Sequence, residues 1–507
     1  MTLKDRYARY ERAGQRKKNW ETTYEDALAY AAQNRETFSE KSKGSTQYDN
    51  IFDSTAQNSL MKFASNLQSG LVPPFKKWAN LVPGAEIPDQ AMEVAAQQLE
   101  AITETMFKYI HNSNFDTQIS ESFIDLGVGT GALLVNDGTD ANPLNFVAVP
   151  LSEIFLEEGP NGSVKTVFRI FKMPYRNIKQ TWAKAKLPTQ EAGGIKEDKD
   201  VEILESTIYN PENDNYEYTV DLIDTGSTII EEVKNVSPWV IFRWATMPGE
   251  IYGRGPMLAA LPDVKTLNKT VEYLLKSSAL KMIPTFLAAD DGVLNPYNIK
   301  VEPGAIIPTA SFGPGGPPLR ALEVGGDMNL SQFIIDRMQS RIEDMMFTNP
   351  LGDVNLPVKT ATEISLRQQE LANRIGSSFG RLQFEFIAPL INRILDILEG
   401  RGLLPISLQD IKIDGKVISI KHQSPLSQAQ DAEELSNTLR YVETLGGVVG
   451  QQLLPLFVNM DVFSKLMSDN LGLKTNLVPD KQQREEAVAL MAQVSGLAQQ
   501  GQPTEGE

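Results

Sequence analysis

Two long helical patterns, separated by a stretch that cannot be helical, constrain this chain more than any other feature. The first pattern runs over about residues 255–282, with Leu261, Val264, Leu267, Val271, Leu274 and Ala279 mostly three or four apart on one stripe. Lys265, Lys269 and Lys276 lie off it. Pro256 sits where a helix start tolerates proline, and Pro262 predicts kinked or separate first turns. The helix would be roughly 40 Å long at ~1.5 Å per residue. The second pattern covers about residues 329–347, with Phe333, Ile334, Met338, Ile342 and Met345 on one face, and Asn349-Pro350 ends it. Between them, residues 283–327 hold seven prolines, at 284, 296, 303, 308, 314, 317 and 318, so they cannot continue a helix. The short apolar runs 285–288, 305–307 and 319–324 predict strands. The unit reads as helix, small β module, helix and polar loop: a stalk carrying a knob. A helical hairpin with a long loop inside a larger enzyme stays open at this point.

Composition removes several classes of function. The chain has no cysteine, so disulfides, thiolate chemistry and cysteine metal sites are out. Its two histidines, His111 and His422, lie far apart, which argues against a histidine zinc site. HExxH, GxSxG and P-loop patterns are absent, so no enzymatic activity, cofactor or metal is expected. No apolar run approaches the ~20 residues that span a membrane, and residues 1–20 are basic without an apolar core, so no membrane partner and no signal peptide are expected. The reading is a soluble protein made in a cytoplasm. At 507 residues the chain has room for several domains. Its net charge of −17 should repel DNA over most of its surface, because tight duplex binding rests on phosphate neutralisation.

Taken in order, residues 1–43 read as a charged helix with a basic cluster at Lys4, Arg6, Arg9, Arg12, Arg16, Lys17 and Lys18. Either a solvated helix face or a site for nucleic acid or an acidic partner fits such a cluster. Residues 54–69 form an amphipathic helix with Leu60, Phe63, Ala64 and Leu67 inward and Gly70 as its cap. Helices follow at 89–112 and 114–126, and Gly127, Gly129 and Gly131 make a glycine turn into a strand. A phosphate-binding loop is a weak reading of that turn, since a nucleotide fingerprint runs strand, glycines, helix and here the order is reversed. Residues 145–156, 164–171, 201–223 and 239–244 read as strands, with a turn at 210–215. Residues 190–235 carry 13 acidic and 3 basic side chains, which reads as a solvated or repulsive surface. The longest helical pattern covers 361–400, with Ile364, Leu371, Ile375, Leu382, Phe386, Leu390, Ile394 and Ile397 as its stripe and Gly376, Gly380 and Pro389 as kink points. Arg367, Arg374 and Arg381 recur every seven residues, and the i,i+4 pairs Glu363–Arg367 and Glu370–Arg374 account for them better than a basic ridge. A strand pair around Asp414-Gly415 and four further helices at 427–445, 451–459, 462–471 and 480–497 complete the reading.

Four stretches, in this order, resemble a known family. They are residues 56–71 followed by Pro74-Phe75-Lys76-Lys77-Trp78; Ser113-Asn114-Phe115 leading into the glycine turn and Ala132-Leu133-Leu134-Val135; residues 249–256, which open the first stalk helix; and Thr360-Ala361-Thr362-Glu363-Ile364 followed by Arg367. The order and spacing of the four resemble the portal proteins, the head-to-tail connectors of short-tailed, podovirus-type bacteriophages, over about residues 50–400.

The resemblance implies an α+β, mainly helical portal fold assembled as a dodecameric ring at one capsid vertex, a channel for DNA packaging and ejection and a nucleator of capsid assembly. It divides the chain into a wing (1–253), two stem helices (254–283 and 327–348), a clip (284–326), a tunnel loop (349–360), a long wing-to-crown helix (361–404), returning wing strands (405–425), a crown (426–495) and a disordered tail (496–507). Val271, Leu274, Phe333 and Met338 would pack subunits in the stem. Gly313, Pro314, Gly315, Gly316, Pro317 and Pro318 would dock partners at the clip, and Asn349, Asn355 and Lys359 would reach the DNA channel. The implied partners are double-stranded DNA passing without sequence preference, the terminase large subunit, a tail adaptor, major capsid and scaffold proteins, and internal core proteins. The implied place is the virion, and the host cytoplasm during assembly. A rival reading is an α+β enzyme holding phosphate at 127–131; a scaffold or minor capsid component is a third.

Overall fold

In the computed structural model, which describes residues 1–33, 35, 50–84, 89–187, 197–289, 306–309, 319–321, 328–348, 376–406, 419–422, 438–448 and isolated positions between 457 and 467, the chain opens with helix α1 (Leu3–Ala31). Thr2 caps it: the Thr2 hydroxyl accepts from the Asp5 amide, and Asp5 reaches back to the Thr2 amide. That hydrogen bonding holds the Asp5 carboxyl below its usual range. Arg6, Ala13, Lys17, Tyr24, Ala27, Leu28 and Ala31 form the buried face.

The basic cluster of α1 divides: Lys4, Arg12, Arg16 and Lys18 are exposed, as a solvated face requires, while Arg6, Arg9 and Lys17 turn inward. Arg6 donates twice to the buried Asp221 carboxylate (2.8 and 2.6 Å), Arg9 pairs with Glu157, and Lys17 donates to the Ser152 and Ile154 carbonyls, 2.7 Å each. These bonds lay the helix on a sheet. Desolvation pushes Lys17 down to about 7. Asp221 comes from the acidic stretch read as a solvated surface, so that reading fails there and at the equally buried Glu205.

Helix α2 (Thr55–Leu71) buries Leu60, Phe63, Ala64 and Leu67 as its periodicity requires. It continues through Gly70, and Val72, not Gly70, closes it by donating to the Gln68 carbonyl. Strand β1 (Ala79–Val82), helix α3 (Asp89–His111) and helix α4 (Phe115–Val128) follow. Strands β2 (Thr130–Asp137), β3 (Leu144–Ala148), β4 (Ile154–Glu158) and β5 (Val164–Pro174) come next, then the single-turn helix α5 (Ile178–Thr181). Strands β6 (Asp200–Asn210), β7 (Asn215–Leu222), β8 (Ser227–Lys234) and β9 (Trp239–Arg243) complete this part.

The single strand expected at 145–156 is two, β3 and β4, which belong to different sheets. Strand β8 was not anticipated. The sheets are β3-β2-β9 and β4-β5-β6-β7-β8, antiparallel throughout. Between β6 and β7, Asp214 takes a positive φ of 46°, a conformation its short polar side chain tolerates in a tight turn. The five-stranded sheet is covered twice. Phe168, Leu204 and Ile208 meet Tyr7, Tyr10 and Ala13 of α1 on one face, and Val201, Ile203, Tyr218 and Val220 meet Tyr175, Ile178 and Trp182 on the other.

Helix α6 (Pro256–Met282) leads to strands β10 (Phe286–Ala289), β11 (Ile306–Thr309) and β12 (Leu319–Ala321), and helix α7 (Met328–Met345) returns. Helices α8 (Gly376–Leu382) and α9 (Ala388–Gly400) form one continuous rod through a π-helical turn, Gln383–Ile387. Leu382, Phe386, Leu390, Ile394 and Ile397 are buried as expected; the part of that pattern at 361–375, with Arg367 and Arg374, lies outside the described residues. Strand β13 (Ser419–His422) pairs with β1, residue His422 opposite Ala79.

The fold class is α+β, mainly helical, as expected. The chain divides into two compact units, residues 1–358 with 374–422, and residues 359–373 with 423–507. In the second unit, described residues 438–448 are helical, matching the end of the helix expected at 427–445.

Candidate functional site

The hairpin of α6 and α7 begins at a crossing of two glycine segments. Gly129, just after α4, and Gly253, just before α6, touch backbone to backbone. A Cβ on Gly253 would stand 2.3 Å from the Gly129 carbonyl oxygen, and one on Gly255 would stand 2.2 Å from the Gly127 carbonyl oxygen. Only glycine fits contacts this close. The crossing is also bonded: the Gly255 amide donates to the Val128 carbonyl (2.9 Å), the Gly253 amide to the Thr130 hydroxyl (2.8 Å), and the Tyr24 hydroxyl to the Gly253 carbonyl (2.6 Å). Trp20 stacks on Tyr24, and the Arg254 guanidinium lies 4.9 Å from the Trp20 ring centre. Burial pushes the Tyr24 and Tyr252 hydroxyls upward, so both stay neutral, Tyr24 donating to Gly253 and Tyr252 accepting from the Leu156 amide.

This geometry overturns the phosphate-loop reading. The Gly129 amide is spent on the Asp125 carbonyl, Gly131 is paired within a sheet opposite Phe242, and Leu60, Tyr24 and Phe242 fill the space around the turn. The glycines are there to let two chain segments cross.

Pro256 stands at the first position of α6, and Met257, Ala260, Leu261, Val264, Leu267 and Asn268 are buried. Pro262 neither kinks the helix into separate pieces nor ends it: α6 is continuous, and the carbonyl of Pro262 accepts from the Thr266 hydroxyl (2.8 Å). Asn268 ties the helix to the preceding chain, accepting from the Phe52 amide (2.7 Å) and donating to the Asn50 carbonyl (2.9 Å). The lysines off the stripe pair as surface residues do, Lys265 with Asp26, and Lys269 and Lys276 both with Glu272.

Beyond Asn268 the stripe changes character. Val271 and Leu274 are only half-buried, and Tyr273, Leu275, Met282 and Ile283 are exposed. Helix α7 packs antiparallel, its Arg341 reaching Asp263 (3.1 Å) near the start of α6. Ile335 and Ile342 of α7, and Met346 just past its end, are buried. The face assigned from sequence is therefore rotated: Ile342 points inward, but Phe333 is 60% exposed, Ile334 is exposed and Met338 is half-buried. The inward seam runs through 335, 342 and 346, spaced by seven and four, and Phe333 and Ile334 lie off it. Val271, Leu274, Phe333 and Met338 thus all sit on the part of the hairpin that its own chain leaves open.

Strand β10 pairs with β11 in parallel and with β12 antiparallel, so the knob carries the β module expected, with the bounds of the first two strands shifted by a residue or two and residues 322–324 of the third outside the described residues. Pro308 falls on edge strand β11, where its missing donor costs least. Gly313, Pro314, Gly315, Gly316, Pro317 and Pro318 lie outside the described residues, as do Asn349, Asn355 and Lys359.

Sequence reasoning missed the tie between the hairpin root and the α8–α9 rod. Arg243, the last residue of β9, holds Glu385 of the π-helical turn through its amide, Nε and Nη2 (3.0, 3.0 and 2.6 Å), and its Nη1 donates to the Ile251 carbonyl. Arg381 adds an ion pair to Glu385 and a hydrogen bond to the Thr246 hydroxyl. A π turn holds one residue more than an α turn and so shifts side chains around the rod, which brings Glu385 to β9. The available signal was a lone arginine inside the apolar run 239–244. Among the described residues, no group of acidic and histidine side chains could hold a metal ion, and no helix is long and apolar enough to cross a membrane.

Against known proteins, the model of one family, bacteriophage head to tail connecting protein, matches residues 4–478. The chain is 24% identical over 502 residues to the "Probable portal protein" of Bordetella phage BPP-1, covering 90% of this chain and 87% of that one. It is 23% identical over 470 residues to the "Portal protein" of Salmonella phage epsilon15, covering 85% and 80%, and 21% identical over 503 residues to that of Enterobacteria phage T3, covering 96% and 90%. Among solved structures it is similar to a chain from the neck of an empty gene transfer agent particle, at 12% identity and a TM-score of 0.32, covering 80% of this chain and 88% of that one.

Proposed function

The chain belongs to the family of bacteriophage head-to-tail connecting proteins and is a portal protein, and from that membership we propose that its copies close into a dodecameric ring at one vertex of the capsid. DNA passes through the centre of the ring, inward during packaging and outward during ejection. Residues 1–253 are the wing, α6 and α7 the stem, 284–326 the clip, 349–360 the tunnel loop and 426–495 the crown.

The observation that carries the ring is the outer half of the stem, where an apolar stripe leaves its own chain's core and stays open. Val271, Leu274, Phe333 and Met338 are the residues that would meet a neighbouring copy. A net charge of −17 suits a conduit that must not grip its cargo, since few phosphate contacts mean little friction. The motive force comes from a separate motor, the terminase large subunit, docked on the clip. A tail adaptor takes the same surface later. Scaffold and major capsid proteins meet the ring during assembly in the host cytoplasm.

Negative-stain micrographs of the purified protein test the ring. Closed rings of about a dozen subunits with a central channel are expected; monomers and dimers at micromolar concentration would remove the portal reading. Rings lacking residues 313–318 should fail to retain motor or adaptor in a pull-down, and full retention would move docking off the clip.

A further inference from the structure

The turn between α2 and β1 displays a ring that its own chain barely uses. Phe75 is 78% exposed, and its φ of 59° lies in the left-handed region. That conformation crowds the Cβ of a bulky residue, whereas glycine takes it freely. The turn is fixed on both sides. Val72 and Pro73 are buried before it, and Trp78 after it is 1% exposed, edge-on to Phe107 and stacked on Phe115. The Lys76 amide donates to the Pro73 carbonyl (3.3 Å), and His111 Nε2 donates to the Lys76 carbonyl (3.3 Å). The Phe75 ring leans toward the His111 ring, with centres 6.2 Å apart, and otherwise faces solvent. A strained backbone that holds an aromatic ring out in water gives the protomer little, so its return lies in a contact outside the protomer.

The surroundings of the ring are cationic. Lys76 and Lys77 follow it directly, and Lys108 lies one turn before His111 on α3; all three are exposed. Against them stand Glu104, bound to Lys77 (2.8 Å), and the half-buried Asp116 at the start of α4. Neither Lys76 nor Lys108 pairs with a carboxylate of any described residue. Copies that each carry a net charge of −17 repel one another, and they close into a ring only where patches of opposite sign meet. Each contact in such a ring joins two different patches, so a projecting ring on one copy meets another surface on the next. Duplex DNA is a poor match, because its bases are stacked inward and leave an exposed ring no free face.

We propose that Phe75 is a knob that each copy presses into an acidic surface of the next copy around the ring, with Lys76 and Lys108 pairing at its rim. This rests on the ring reading and adds a second subunit contact to that of the stem.

The test places photoreactive p-benzoylphenylalanine at position 75 of the full chain. Irradiated rings should give chain-to-chain adducts, read as a ladder on a denaturing gel. Phe75→Gly, which suits the left-handed turn, should need about tenfold or more protein to form rings, the scale of one lost aromatic burial. Its monomer fraction should melt no lower than the unmodified monomer. Lys76→Glu combined with Lys108→Glu should weaken assembly more at low salt than at high. Sedimentation velocity reads both variants. Adducts confined to one chain, adducts only to another protein, Phe75→Gly rings at the unmodified concentration, or a Phe75→Gly monomer that melts lower would each overturn the proposal. Unchanged assembly of the double lysine variant at low salt would overturn the acidic surface opposite the knob. Unmodified protein that forms no rings would remove the ring reading itself; normal rings without these effects would remove the knob alone.

Discussion

The two halves of α6 carry one apolar stripe and meet opposite fates. In the root half, Leu261, Val264 and Leu267 are buried, Asn268 is bonded on both sides, and the glycine crossing fixes where the helix leaves the body. In the outer half, Val271 and Leu274 are half-covered, Leu275 is 53% exposed and Met282 is 81% exposed. Nothing in the local spacing distinguishes the halves. The difference lies in what stands opposite: among the described residues, α1, α2, α4 and the end of α7 pack on α6, and its far end keeps exposed side chains. Helical periodicity reports that a face needs covering, and not whether the cover comes from the same chain.

The largest expected effect follows at the root. Leu267→Asp puts a charge at a position only 1% exposed, at a cost of about 3–5 kcal/mol, and the protein should be lost to aggregation or show no cooperative melt. Soluble Leu267→Asp with an unchanged melting temperature would erase the distinction between the halves. Gly253→Ala acts next door with less force, because its new methyl meets the Gly129 backbone carbonyl and no flexible side chain can yield. A loss of roughly 1–3 kcal/mol is expected, the range for overpacking. Calorimetry reads it, and an unaltered melting curve would mean the crossing can open at no cost.

Much of this was legible in the sequence. Helices with strong stripes fell where expected: α2, α3, the α8–α9 rod and both hairpin helices. What the pattern missed depends on tertiary context. Strand β8 was hidden inside an acidic stretch, because the adjacent Ile229-Ile230 and Glu231-Glu232 break the period of two that marks a strand, and their direction is set only by pairing with β7. Asp221 and Glu205 in the same region look like their exposed neighbours, and only Arg6 and Arg169 across the sheet reveal them as buried. The rotated face of α7 has a similar origin: Phe333 and Ile334 suit a buried stripe by composition, and the seam with α6 takes Ile335 instead. Glycines 127, 129 and 131 were visible, but their partners at 253 and 255 lie more than a hundred residues on, so one half of the crossing was read as a turn.

Leu274→Asp sharpens the comparison from the other side. The residue is half-exposed in the protomer, so the folded monomer should lose less than about 1 kcal/mol, in line with substitutions away from the core. In an assembled stem the same carboxylate would be buried at each contact. Sedimentation velocity should find a well-folded monomer in place of rings. Intact rings from Leu274→Asp would take the outer stripe out of the subunit contact, and a protein that fails to fold would make the outer half a core like the root.

The smallest effect is expected beyond the hairpin, at Lys359. It is the only cationic side chain in residues 349–360, between Pro350, which ends the second helical pattern, and the long helical pattern that follows. In a ring, that loop would project into the channel, and one lysine per copy would make a single positive girdle in an otherwise acidic tube. Each lysine–phosphate contact is weak and screened within ~8–10 Å at physiological salt, so the girdle should slow or steady moving DNA without binding it tightly. Lys359→Ala should leave ring assembly and melting unchanged and alter packaging rate or genome retention by a modest factor, more at low salt than at high. Equal packaging and retention at low salt would take Lys359 off the channel wall. Loss of the ring would instead make it part of the scaffold, and the gradation from root to stem to channel would stop at the stem.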